Sequence, residues 1–323
     1  MTYKLCRLYG LKSKKTLREW LGINDSGFFC SQNIAKNYHP YIGSKDNKIR
    51  LIEDSSFKLK HVQKKILKML KKLDYPKYLF SGVKGLSYID NAKQHLGKFY
   101  TYKIDVSKFF PNTSRNKVYS FFKDFLNTSP DVAKILTDCT TVDLRNYSNS
   151  KHYNKIMRFV AIAGIRQIAH LSTGASTSML LSFCVNQSMF EELNEFCKQR
   201  DYIFTVYVDD VTISSTKPIT YKDRLKIIRI VEKYGHSISR NKIKYYTLSK
   251  TKKITGVVIN KNGEARTPNK LLSKTHCKIL KFKRGNIGDA EINSLKGCIN
   301  VAYQIDGKFI HLKKLLNLKD NLK

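Results

Sequence analysis

Apolar residues recur at two alternating periods along this chain. Leu17, Trp20 and Leu21 fall on one side of a helix predicted over residues 13–21, with Gly22 as its stop. The period drops to two over residues 48–53, which predicts a strand. Leu59, Val62, Ile66, Met69, Leu70 and Leu73 then return to helical spacing under a lysine-rich face. Period two reappears over residues 99–105. Ser114 is placed to cap a helix carrying Val118, Phe121, Phe122 and Phe125, and another helix is predicted near residues 131–139.

Leu180, Leu181, Cys184, Val185, Met189, Leu193 and Phe196 form the longest apolar stripe and predict one long helix over residues 176–196. Residues 204–215 follow as two short runs of β-branched and aromatic residues around Asp209 and Asp210, which predicts a hairpin with charge at its tip. A helix over 221–234 stops at Gly235. Strands are expected near 243–247 and 254–259, with Asn262-Gly263 as a turn, and the part from Asn269 onward reads as basic helix. A centre of strand, helices, hairpin, helix and strand between basic flanks is an α+β plan. No internal repeat or linker interrupts it.

Composition sharpens the picture. The 323 residues are 41% hydrophobic, enough for an ordinary core, and carry 60 Lys+Arg against 25 Asp+Glu, a formal net charge of +35. Such an excess exceeds what solubility requires and points to a polyanion, nucleic acid first, with salt-sensitive binding. Seven scattered cysteines without a Cys-x-x-Cys pair speak against a disulfide framework or structural zinc. The N-terminus lacks an apolar signal core and no run approaches the ~20 apolar residues of a membrane span, so a cytoplasmic, reduced protein with no membrane partner is expected.

Two adjacent aspartates at a hairpin tip repel each other and make poor core material. A divalent cation is the simplest partner. Asp105 also ends a strand, at a loop, where it can lie beside the hairpin. In-line nucleotide addition uses one ion to activate a primer hydroxyl and a second to hold the triphosphate, and so needs carboxylates from neighbouring strands. Asp105, Asp209 and Asp210 supply them, and two Mg²⁺ ions are the expected cofactor.

Ile104-Asp105-Val106-Ser107-Lys108-Phe109-Phe110 resembles motif A of reverse transcriptases, and Tyr207-Val208-Asp209-Asp210 resembles their motif C. The resemblance implies Val106 beside the three aspartates in the metal and nucleotide set. It implies that Phe110 closes the pocket against a ribose 2′-hydroxyl. Residues 171–178 resemble motif B, in which Gly174 and Ala175 let nucleotide or template approach; Ser172, Thr173 and Ser176 depart from the usual Leu-Pro-Gln-Gly-Ala-Pro-Thr-Ser. Lys242 is the motif D candidate for assisting pyrophosphate departure. Arg50, with Lys48, resembles the fingers group that contacts nucleotide phosphates.

Two further elements resemble those of retron reverse transcriptases: Asn91-Ala-Lys-Gln-His95, matching Asn-Ala-x-x-His, and Ile254-Thr255-Gly256, resembling Val-Thr-Gly. In that family these segments contact the cognate structured RNA or shape its site, which makes Asn91, His95, Thr255 and Gly256 the RNA-binding candidates. The resemblance implies an α+β right-hand polymerase with a ferredoxin-like palm. Residues 1–98 would form an N-terminal arm and fingers, 99–250 the palm with an interleaved fingers segment, and 251–323 the palm–thumb junction and a small helical thumb. It further implies dNTP substrates and RNA-directed DNA synthesis on a cognate noncoding RNA. Priming from a 2′-hydroxyl would leave branched, RNA-linked single-stranded DNA (msDNA), in antiphage defence with an effector protein. No span remains for a ribonuclease H or endonuclease domain, so template removal is expected from elsewhere. Two alternatives stand beside this: another short bacterial reverse transcriptase, of group II intron or diversity-generating type, and a catalytically impaired scaffold that binds structured RNA.

Overall fold

The computed structural model describes residues 3–45 and 48–315. Helix α1 (Lys14–Leu21) begins where the Ser13 hydroxyl accepts the Thr16 N–H and ends at Gly22 in the left-handed region, φ 65°. A short α2 (Ser31–Ala35) leads into an antiparallel hairpin of β1 (Tyr38–Lys45) and β2 (Lys48–Ser55). Strand β2 turns Leu51, Glu53 and Ser55 inward and leaves Lys48, Ile49 and Arg50 exposed at its free end. Helix α3 (Phe57–Leu70), capped by Ser56, buries Leu59, Val62, Ile66, Met69 and Leu70 and keeps Lys58, Lys64 and Lys68 in solvent. A Ser87–Asp90 capping box starts α4 (Tyr88–Lys93).

The central run comprises β3 (Tyr100–Asp105), α5 (Arg115–Ser120), α6 (Pro130–Thr140), β4 (Thr141–Asp143), α7 (Tyr153–Ala163), β5 (Ala169–Leu171), α8 (Ser178–Val185) and α9 (Gln187–Lys198). It continues with β6 (Ile203–Tyr207), β7 (Asp210–Ser215), α10 (Tyr221–Lys233) and β8 (Lys244–Tyr246). Strands β3, β6, β7 and β8 form one sheet in the spatial order β6-β7-β3-β8, every neighbour antiparallel. Taken in chain order this is a strand, helices, two hairpin strands, a helix and a strand: the ferredoxin-like palm of a right-hand polymerase. Burial accounts for its stability: Ile104, Val206, Val211 and Ile213 are fully buried and share one continuous core with Leu193 of α9 and Ile227 and Val231 of α10.

Beyond β8, β9 (Lys252–Ile254), β10 (Val257–Ile259) and β11 (Ala265–Arg266) make a small antiparallel sheet. Helices α11 (Asn269–Lys283), α12 (Asp289–Asp306) and α13 (Ile310–Leu315) complete the described part. The basic helical C-terminal part is therefore observed; residues 316–323 of the expected thumb lie outside the described residues. A second core of Ile89, Ala92, Ile254, Val257, Ile259 and Ile305 joins α4, the β9–β10 hairpin and α12.

Two elements differ from expectation. The single helix over 176–196 is two, α8 and α9, because Asn186 turns its amide inward: Nδ2 donates to Ser182 O at 2.9 Å and Thr113 Oγ1 at 3.1 Å, and Oδ1 faces His236 Nε2 at 2.8 Å. A short polar side chain bonded this way competes with helix continuation. The strand expected near 254–259 runs only from Val257 to Ile259, since Thr255 (φ 42°) and Gly256 (φ 95°) adopt left-handed backbone and make the corner between β9 and β10.

Candidate active site

Register brings the acids together. Asp105 and Asp210 are directly opposed across β3 and β7, and the Val106 N–H donates to the Asp209 carbonyl at 2.9 Å, which draws the hairpin tip over the end of β3. The tip is held in a costly conformation. Val208 is β-branched yet has φ 59°, and its N–H donates to Ser81 Oγ at 3.0 Å. The Val106 side chain is fully buried, so its backbone is what it offers the site.

Three carboxylates share this half-buried corner. Burial, then the charges of Asp105 and Asp210, push Asp209 up to about 6; burial also raises Asp210, although Lys103 opposes it. Lysines supply the compensating charge. Lys242 Nζ donates to both oxygens of Asp105, at 2.8 and 2.7 Å, the Ser239 hydroxyl donates to Oδ1 at 2.8 Å, and Lys103 Nζ donates to Asp210 at 3.1 Å. Among the described residues no three His, Cys, Asp or Glu side chains stand as a ready-made cage. The donor chemistry still fits a hard divalent cation: clustered carboxylate oxygens, with the ionised state of Asp209 and Asp210 disfavoured by burial.

A cavity of about 800 Å³ opens on Asp105 and Asp209, with Asp210 on the neighbouring one. Lys48 and Arg50 from β2, Phe110 and Thr173 line it together with Asp105, Asp209 and Lys242. Six expected site residues thus share one cavity, on walls from the β1–β2 hairpin and the four-stranded sheet. Gly174 sits differently. A Cβ there would lie 2.2 Å from the Glu53 carbonyl oxygen, so this glycine lets the motif B loop touch β2. Ala175 is buried beside it. Thr173, one of the departures from motif B, is the member of this loop that reaches the cavity; sequence reasoning passed over it because its family counterpart is a glutamine.

The two retron-type elements meet. Asn91 Nδ2 donates to Thr255 Oγ1 at 3.3 Å, and Thr255 Oγ1 donates to Tyr88 O at 2.8 Å. Asn91 is 1% exposed and His95 fully buried. His95 lies between Ser214 Oγ (2.8 Å) and Thr205 Oγ1 (2.7 Å) on the palm strands; burial, helped by Lys252, lowers its pKa to about 3 and keeps it neutral. Of contacting RNA or shaping its site, this position suits the second for both residues. Thr255 and Gly256 face outward, on a second cavity of about 390 Å³ lined by Lys103, Tyr207, Asp210, Lys242, Lys244 and Lys253. A basic groove therefore runs from the acids to this corner.

Residues 42–274 match the family described as reverse transcriptase (RNA-dependent DNA polymerase). The retron Se72 reverse transcriptase of Salmonella heidelberg is 30% identical over 203 residues, 61% of this chain and 47% of that enzyme. The retron Ec83 reverse transcriptase of Escherichia coli is 27% identical over 274 residues, 81% of this chain and 80% of that enzyme. Against the Se72 enzyme the chain thus spans about half the relative's length. Among solved structures, apo telomerase from Candida tropicalis aligns at TM-score 0.49 and 15% identity, over 84% of this chain and 52% of that one, too slight a likeness to add to the assignment. On the extent of the family match the chain belongs to the reverse transcriptases, and the curated relatives it resembles here are retron enzymes.

Proposed function

We propose that the protein is an RNA-directed DNA polymerase that copies a cognate structured noncoding RNA. The observation that carries this is the meeting of Asp105 and Asp209 in a cavity walled by Lys48, Arg50, Phe110 and Thr173, with Asp210 paired to Asp105 across β3 and β7. Residues 1–98 serve as arm and fingers, 99–250 as palm and 251–323 as junction and thumb. Asp105, Asp209, Asp210 and the Val106 carbonyl would hold two Mg²⁺ ions, which lower the pKa of the primer hydroxyl and neutralise the triphosphate. The chain's own groups do the rest. Lys48 and Arg50 grip phosphate oxygens, Phe110 excludes a 2′-hydroxyl by bulk, and Lys242 is released from Asp105 to face the leaving pyrophosphate. Gly174 and Ala175 seat the loop beneath the nucleotide.

The basic groove past Lys103, Lys244 and Lys253 suits the primer–template backbone, with Thr255 and Gly256 at its far end and Asn91 and His95 bracing it from inside. Likeness to retron enzymes supports the finer reading: a 2′-hydroxyl primes synthesis, the product is msDNA, and the system acts in cytoplasmic antiphage defence with an effector protein. Among the described residues no helix is long and apolar enough to cross a membrane. Sequencing and debranching the nucleic acid that copurifies with the protein tests this reading. RNA joined to DNA through a 2′–5′ branch is the expected result. Unbranched, heterogeneous cellular RNA would instead favour a reverse transcriptase of another type.

A further inference from the structure

Glu53 and His170 are both fully buried, and they come from different parts of the hand. Glu53 lies on β2, three residues after Arg50, and His170 lies on β5, three residues before Thr173. Their contacts form a closed set. His170 Nε2 meets Glu53 Oε1 at 2.8 Å, His170 Nδ1 meets the Gln167 carbonyl at 2.6 Å, and the other Glu53 oxygen accepts the Thr173 N–H at 2.8 Å. Both ring nitrogens face acceptors, so the ring donates twice and pairs with Glu53 as an ion pair. Burial opposes the charged ring, but Glu53 and the Gln167 carbonyl outweigh it and leave the His170 pKa raised.

The seam continues along the loop. The Thr173 hydroxyl donates to Leu51 O at 3.2 Å, the Ser172 hydroxyl donates to Glu53 O at 3.4 Å, and Gly174 packs against that same carbonyl. Ser172 and Thr173 depart from the usual motif B, and both departures bond to β2. We propose that Glu53 and His170 are positioning residues of the nucleotide site. The pair locks strand β2 to the 172–175 loop and so fixes Arg50 and Thr173, which both line the cavity. An unpaired charge at either position would be costly, so the lock holds only with both partners present. Neither Glu53 nor His170 lines the cavity itself.

This inference rests on the polymerase reading, and steady-state dNTP incorporation on a primed RNA template separates the two. Wild-type protein that fails to incorporate refutes the polymerase reading; wild-type activity with insensitive variants refutes only the lock. Glu53→Ala is expected to raise KM for dNTP about tenfold or more while kcat stays within about threefold, because a displaced wall weakens nucleotide capture before it weakens chemistry. Glu53→Gln should restore KM to near wild type. Its amide oxygen accepts the Thr173 N–H, and its NH₂ donates to Nε2 of a neutral His170. If Glu53→Ala does not fold, Glu53→Asp, one methylene short of spanning both partners, carries the same comparison. A KM unchanged in the folded variant, or Glu53→Gln impaired as deeply as Glu53→Ala, would overturn the proposal.

Discussion

At the scale of single residues, Asp209 is held in surroundings that disfavour its charge. Its carboxyl is raised from 3.8 to about 6 by burial and by Asp105 and Asp210. For a raised acid the folded state loses stability as pH climbs from the unfolded value through the folded one. The penalty is therefore full above about pH 6 and gone below about pH 4, on the order of 1–3 kcal/mol. Metal-free Asp209→Asn should accordingly melt above wild type near neutral pH, the gap closing as the pH is lowered towards about 4. Added Mg²⁺ should raise the wild-type Tm and move the variant less. Phe110 makes an independent case. Replacing it with alanine should cut discrimination against ribonucleotides about 10- to 100-fold, read as the ratio of kcat/KM for dCTP and CTP, with dCTP use largely kept.

At the scale of elements, legibility followed the strength of local pattern. Helices α1 and α10 have an N-cap, an apolar stripe and a glycine stop, α3 an N-cap and an apolar stripe, and β3, β6 and β7 alternate or run apolar between polar ends, so each was readable. The hairpin that carries Asp209 and Asp210 was readable for the same reason. Strand β1 was not. It contains Pro40 and Gly43, tolerable because it pairs with β2 alone, and nothing local announces it. The break at Asn186 depends on Thr113 and His236, residues remote in sequence, and so does the burial of His95 between Thr205 and Ser214. Tertiary partners decided those outcomes. Gly263 shows the same dependence at a turn: it has φ 84°, and a Cβ there would lie 2.4 Å from the Gly97 backbone, whose N–H donates to the Gly263 carbonyl. Gly263→Ala should cost about 2–4 kcal/mol in urea unfolding, with the loss centred on the β10–β11 sheet.

At the scale of the whole molecule, charge and shape agree. The excess of +35 has outlets in the groove lysines near Asp210 and in the exposed lysines of α3. A protein that neutralises many phosphates releases as many counterions, so RNA affinity should fall by about 10³-fold or more between 50 and 200 mM salt, measured by filter binding. A shallow salt dependence would mean that the charge serves something other than the nucleic-acid backbone. The fingers hairpin, the palm sheet and the small β9–β11 sheet converge on one corner, and the three aspartates lie there. Primer extension on an RNA template with dNTPs and Mg²⁺ tests that convergence most directly. Wild-type protein is predicted to extend the primer, and Asp209→Asn and Asp105→Asn, still folded by circular dichroism, to lose at least about 10³-fold in rate. Extension by either variant at the wild-type rate would contradict the assignment of these carboxylates to catalysis.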